Sequence, residues 1–95
     1  MTGPSDVAII TGAASGIGRH WAGALQRRRG CYKLVLADVN ASGLRASFEP
    51  GDDVVLHTLD VRSVAGWRAL VADTMERFGR IDYLFNIAGG ARPGF

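Results

Sequence analysis

Ninety-five residues, 10.1 kDa, hold one hydrophobic core at most, which excludes two independent domains and a large enzyme with a deep substrate pocket. A share of 47% hydrophobic and 21% charged residues is that of a globular chain and excludes a disordered or fibrous one, while 13 glycines are about twice the average share. The net charge of +2, from 11 basic and 9 acidic side chains, is too nearly balanced to draw nucleic acid or an anionic membrane.

The chain begins with Met1 to Asp6, which has no basic stretch leading into an apolar one, and no apolar run approaches membrane-spanning length. The single cysteine, Cys31, cannot close an internal disulfide and reads as a buried thiol in a reducing compartment, so a soluble cytoplasmic protein is expected.

Val7–Ile10 is a short β-branched run that stops at Thr11 and Gly12, as a buried parallel strand does. From Ser15 or Gly16 to Arg29, the residues Ile17, Trp21, Ala24 and Leu25 recur at helical spacing, with Trp21 expected in the core, Gly30 ending the helix and Arg27, Arg28 and Arg29 complementing its carboxyl end. Leu34–Ala37 makes a second buried strand ending at Asp38, and a weaker helix over Ala41–Phe48 closes at Pro50 and Gly51. Asp52 and Asp53 follow in a solvated turn.

Val54–Leu59 is the third strand, ending at Asp60 and Val61. Ser63 can cap a helix whose apolar face is Val64, Trp67, Leu70, Val71, Thr74/Met75 and Phe78, with Gly79 just beyond it. Ile81–Ile87 gives a fourth strand, before a Gly-rich tail over Gly89–Phe95.

Strands alternating with helices predict an α/β fold built of βαβ crossovers. Right-handed crossovers give a Rossmann-like parallel sheet in the order 3-2-1-4, two helices on one face and the third on the other: the first half of a doubly wound fold, with residues 1–95 in a single domain. Ligands bind such sheets at the carboxyl ends of the strands, between the first and the fourth.

The segment Thr11-Gly12-Ala13-Ala14-Ser15-Gly16-Ile17-Gly18 lies at that switch point. Gly12 permits the tight turn, Gly16 lets backbone approach a diphosphate, Gly18 allows close helix packing, and the helix start offers N–H groups and a positive dipole end. Asp38, twenty residues beyond Gly18, is placed to accept hydrogen bonds from an adenosine ribose, and its charge repels the 2′-phosphate of NADP. With no cation at Ser15, Val39 or Asn40 to attract that phosphate, NAD is the expected cofactor. From position alone, Asp60 either meets a ligand or caps the following helix. His20 and His57 lack partners at metal-ligand spacing, so no metal is expected.

These pieces resemble the short-chain dehydrogenase/reductase family along essentially the whole chain: Thr-Gly-x-x-x-Gly-Ile-Gly at 11–18, Asp38, Leu59-Asp60-Val61, Phe78-Gly79-Arg80-Ile81-Asp82 and Asn86-Ile87-Ala88-Gly89. The resemblance implies that Gly12, Ser15, Gly16, Ile17 and Gly18 contact the cofactor, that Asp38 selects NAD, and that Asp60 and the N–H of Val61 bind adenine. It also implies that Asn86, Ile87, Ala88 and Gly89 steady the sheet and meet a ribose, with Ile87 in place of the family's second Asn and so limited to backbone contact. The family's activity is hydride transfer between a nicotinamide cofactor and an alcohol or carbonyl, with a Tyr-x-x-x-Lys pair beyond the fourth strand as acid/base. No Tyr-x-x-x-Lys occurs in these 95 residues, so no catalytic residue is assigned and the chain alone is expected to be inactive.

A stand-alone NAD-binding module and a non-binding interaction fragment remain open as alternatives. A longer form is expected to be a homo-oligomer, and the isolated chain, with Leu84, Phe85 and Ile87 on an open edge, is expected to associate.

Overall fold

The computed structural model describes residues 5–28 and 30–87; the expectations for Arg29, Ala88, Gly89 and the Gly-rich tail lie outside the described residues. Its elements are β1 (Asp6–Thr11), α1 (Gly16–Gln26), β2 (Tyr32–Asp38), α2 (Ala41–Ser47), β3 (Val54–Thr58), α3 (Val64–Phe78) and β4 (Tyr83–Asn86). All neighbouring strands pair in parallel, in the order β3-β2-β1-β4.

Both sheet faces are buried, which is why β1 and β2 read as continuous apolar runs and not as alternating ones. One face carries Ala8, Ile10, Leu34, Leu36 and Val54 beneath Ala22 and Leu25 of α1 and Leu44 of α2. The other carries Ile9, Val35 and Ala37 beneath Leu70 of α3, flanked by Trp67 and Phe78. Fully burying each large aliphatic here contributes about 1.5–3 kcal/mol, so the two faces together are the main source of stability.

Several expected details are corrected. Helix α1 ends at Gln26 and not Arg29: Arg28 N–H donates to the Leu25 carbonyl (3.1 Å), a three-residue closure that turns the chain before Gly30 is reached. Trp21 is 47% exposed, not core, and Ile17 is 65% exposed. The buried stripe of α1 is Gly18, Ala22 and Leu25, while Trp21 stacks on Phe85 of β4 with ring centroids 6.2 Å apart.

On α3 the inward stripe is Trp67, Leu70, Thr74 and Phe78, and the neighbouring stripe of Val64, Val71 and Met75 faces outward. Cys31 is exposed, since it sits in the turn before β2 and outside the sheet. Strand β4 is shorter than expected at both ends: it starts at Tyr83, after Ile81 and Asp82, and stops at Asn86, where Ile87 N–H turns to the Thr11 hydroxyl (3.1 Å) and Phe85 O (3.2 Å). On its open edge Tyr83 and Leu84 are exposed, whereas Phe85 and Ile87 pack against the core.

The helix ends follow local rules. Ser63 Oγ accepts Gly66 N–H (3.0 Å) at the start of α3, and Gly79 N–H donates to Met75 O (2.8 Å) at its end. The residues after Gly79 form a clamp at the amino edge of the sheet. Asp82 accepts Val7 N–H (2.7 Å), returns its own N–H to Val7 O (2.9 Å), and takes two bonds from the Arg80 guanidinium (both 2.8 Å). Arg80 and the Tyr83 hydroxyl also reach Asp6.

The Arg80 bonds, then the Val7 N–H, hold the Asp82 carboxyl below its ordinary 3.8. A carboxyl whose pKa is lower folded than unfolded contributes stability that is complete above pH 3.8 and is lost as pH falls through the folded value. Asp82→Asn should therefore be less stable than the parent at neutral pH and show a shallower loss of stability below pH 3.8. Denaturant melts at stepped pH check this; parallel curves for the two proteins would refute it.

Candidate functional site

The register brings Thr11 beside Ala37 on one side and Asn86 on the other, and Asp38 beside Thr58, so the carboxyl ends of the four strands share one edge. The glycine turn crosses this edge from β1 to α1. Gly12 and Gly16 have φ of 71° and 56°, the left-handed region in which a side chain costs about 1–2 kcal/mol. A Cβ on Gly16 would meet no atom within 4 Å, so its positive φ, and not crowding, is what favours glycine there. A Cβ on Gly18 would stand 2.0 Å from the Gly12 carbonyl oxygen, which makes its contact one with the turn and not with the strand. Ser15, Gly16 and Ile17 are exposed around the first turn of α1, where helix N–H groups lack intrahelical acceptors.

The turn is tied to the next strand by two bonds. Ala13 N–H donates to Ala37 O (3.1 Å), and Ala14 N–H donates to the Asp38 carboxylate (Oδ2, 3.0 Å). The other Asp38 oxygen accepts Asn40 N–H (3.0 Å). Asp38 is thus half-buried at the end of β2 with its charge fixed beside the glycine turn.

Asp60 follows β3 on the same edge. Arg62 donates to it from its backbone N–H (2.9 Å) and its guanidinium (3.1 and 3.0 Å), lowering its carboxyl to about 2. Of its two expected roles, helix capping falls instead to Ser63, whose N–H donates to Asp60 O (2.9 Å) and whose hydroxyl accepts Gly66 N–H, while the Asp60 side chain is taken by Arg62. Trp67 Nε1–H donates to Val61 O (2.9 Å) and orients the peptide between Val61 and Arg62.

At the β4 end, the buried Thr11 hydroxyl donates to Asn86 Oδ1 (2.8 Å) and accepts Ile87 N–H. The edge therefore gathers Gly12, Ser15, Gly16, Ile17, Gly18, Asp38, Asp60, Val61, Asn86 and Ile87; Ala88 and Gly89 lie outside the described residues.

Sequence reasoning did not give Thr11 and Ala14 their positioning roles. Thr11 carried a signal, a hydroxyl ending an apolar strand. Ala14 carried none, because its contribution is a backbone N–H. His57, on β3, pairs with Asp73 of α3 (3.0 Å).

A parallel sheet in this order with a glycine turn at its switch point defines a Rossmann-like nucleotide-binding fold. The family model for short chain dehydrogenases matches residues 6–95, and the chain belongs to that family. It is 43% identical over 89 residues to levodione reductase of Leifsonia aquatica, covering 87% of this chain and 33% of that protein. Among solved structures it matches 3-ketoacyl-(acyl-carrier-protein) reductase from Brucella melitensis complexed with NADH, with a TM-score of 0.74, 32% identity, and coverage of 85% of this chain and 33% of that one. It also matches a short chain dehydrogenase/reductase from Burkholderia phymatum in complex with NAD, with a TM-score of 0.67, 36% identity, and coverage of 85% and 30%. The chain spans about a third of the length of the curated relatives it matches. Among the described residues no helix is long and apolar enough to cross a membrane.

Proposed function

We propose that these 95 residues are the amino-terminal part of one dinucleotide-binding domain, which holds NAD in preference to NADP for an oxidoreductase moving hydride between the nicotinamide and an alcohol or carbonyl. The observation that carries this reading is the Asp38 carboxylate, fixed beside the glycine turn by Ala14 N–H and Asn40 N–H. Gly12, Ser15, Gly16, Ile17 and Gly18 would take the diphosphate on backbone N–H groups, and Asp38 the adenosine ribose. Asp60 and Val61 would border the adenine, and Asn86, Ile87, Ala88 and Gly89 the second ribose. Bound there, the nicotinamide supplies the hydride chemistry.

The two relatives solved with NADH and with NAD support a nicotinamide cofactor. The charge of Asp38, with no cation at Ser15, Val39 or Asn40, favours the form without a 2′-phosphate. Without a Tyr-x-x-x-Lys pair the 95 residues alone would bind and not turn over, which is also what a stand-alone binding module would do. A lone thiol, Cys31, fits a cytoplasmic setting.

Asp38→Ala should weaken NAD binding by about tenfold and bring the affinities for NAD and NADP closer together. Calorimetric titration of parent and variant with each dinucleotide is the test. Equal affinities in the unaltered protein would overturn the preference, and binding of neither would overturn the reading.

A further inference from the structure

The Asp38 carboxylate is enclosed on the side of α2 by a ring of contacts that no simple charge argument requires. One oxygen accepts Ala14 N–H and the other accepts Asn40 N–H, both at 3.0 Å. Asn40 is itself fixed: its side-chain oxygen accepts Gly43 N–H (3.0 Å) and the Ser42 hydroxyl (3.0 Å), and its carbonyl accepts Leu44 N–H (3.1 Å). Gly43 then closes the ring against the glycine turn. A Cβ there would stand 2.5 Å from Asn40 Nδ2, 2.9 Å from Asn40 Cγ and 3.2 Å from Ala14 Cβ. The Ala14 wall is buried and cannot withdraw, so the exposed Asn40 side chain is the one that must move.

We infer that Gly43 and Asn40 are positioning residues that lock the Asp38 carboxylate in place beside the glycine turn and so set the preference for NAD over NADP. The inference rests on the dinucleotide reading proposed above. A 2′-phosphate would need the carboxylate to swing aside as well as to tolerate its charge. Swinging aside breaks the bonds to both Ala14 and Asn40, and one of those holds the turn that takes the diphosphate. Selectivity is then enforced by hydrogen bonds, which salt does not screen, in addition to a repulsion that salt does screen. Glycine at 43 is what allows the Asn40 cap to sit this close.

Three variants test the inference, each titrated calorimetrically with NAD and NADP. Gly43→Ala should displace the Asn40 side chain, free the carboxylate, weaken NAD binding and narrow the NAD-to-NADP affinity ratio by about tenfold. A purely structural role predicts the opposite for stability and nothing for the ratio, because alanine is the better helix former within α2. Pairing it with Asn40→Ser, a shorter capping residue, should restore the ratio. Asn40→Ala, which adds no atom, should narrow the ratio in the same direction and stands in if Gly43→Ala does not fold. A ratio within about twofold of the parent's in a folded variant of either kind overturns the inference while leaving the functional reading intact. A parent that binds neither dinucleotide overturns both.

Discussion

Gly18→Ala is expected to prevent folding or, where a fold survives, to abolish measurable dinucleotide binding. The added Cβ would lie 2.0 Å from the Gly12 carbonyl oxygen, 2.6 Å from its carbon and 3.2 Å from Ala13 N. All three are backbone atoms of the turn, so no side chain can rotate away, and relief requires moving α1 off β1 or unwinding the turn. Overpacking that displaces backbone costs about 1–3 kcal/mol or more, from a total stability of about 5–15 kcal/mol. The same shift would carry the first-turn N–H groups away from the position proposed for the diphosphate.

A matched control sits on the same helix. A Cβ on Gly23 would meet only the end of Arg27 at 3.4 Å, so Gly23→Ala should stabilise the protein by about 0.5–1 kcal/mol. Thermal melts of the two variants beside the parent check the pair. A Gly18→Ala protein that melts with the parent and still binds NAD would mean that α1 does not approach the turn this closely.

Thr11→Val should be the second most damaging change, at nearly constant volume. The hydroxyl is buried and joins β1 to β4 twice, donating to Asn86 Oδ1 and accepting Ile87 N–H. Valine removes both bonds, at about 0.5–1.5 kcal/mol each, since exposed Asn86 can turn to water and Ile87 N–H keeps Phe85 O (3.2 Å). For a domain of this size each kcal/mol lowers Tm by about 4–8 °C. Because Asn86 and Ile87 face the proposed ribose position, dinucleotide affinity should fall with stability. Thr11→Ser keeps the hydroxyl and should lie much closer to the parent. If Thr11→Val and Thr11→Ser melt together above the parent's midpoint, the hydroxyl does not join the strands.

The topology was readable because the cues were redundant. Continuous runs such as Val7–Ile10 and Leu34–Ala37 exclude a half-solvated sheet, and the chirality of βαβ crossovers leaves few strand orders. The candidate site was readable where the backbone demands a residue type at a fixed place, as with the positive φ of Gly12 and Gly16 and the close approach at Gly18. It was not readable where the acting group is backbone. Ala14 and Ala13 look like spacers, yet their N–H groups join the turn to β2. Trp21 was misjudged because helical spacing alone does not say which side meets the sheet: α1 buries Gly18, Ala22 and Leu25 and turns Trp21 outward. On α3, Val71 and Met75 continue an apolar stripe that spacing cannot divide, and only the sheet's position decides that Leu70 and Thr74 face inward.

The amino-acid sequence by itself therefore determined the order of elements, the parallel sheet and the edge at which a ligand would lie. These follow from apolar periodicity and from glycines whose backbone angles few other residues adopt. The tertiary structure alone decided which side of each helix is buried, that Asp82 and Arg80 clamp the edge opposite the site, and that Asp38 is held by a ring through Ala14, Gly43 and Asn40. Those depend on distances between residues far apart in the chain, which are fixed only when the sheet brings the strand ends together.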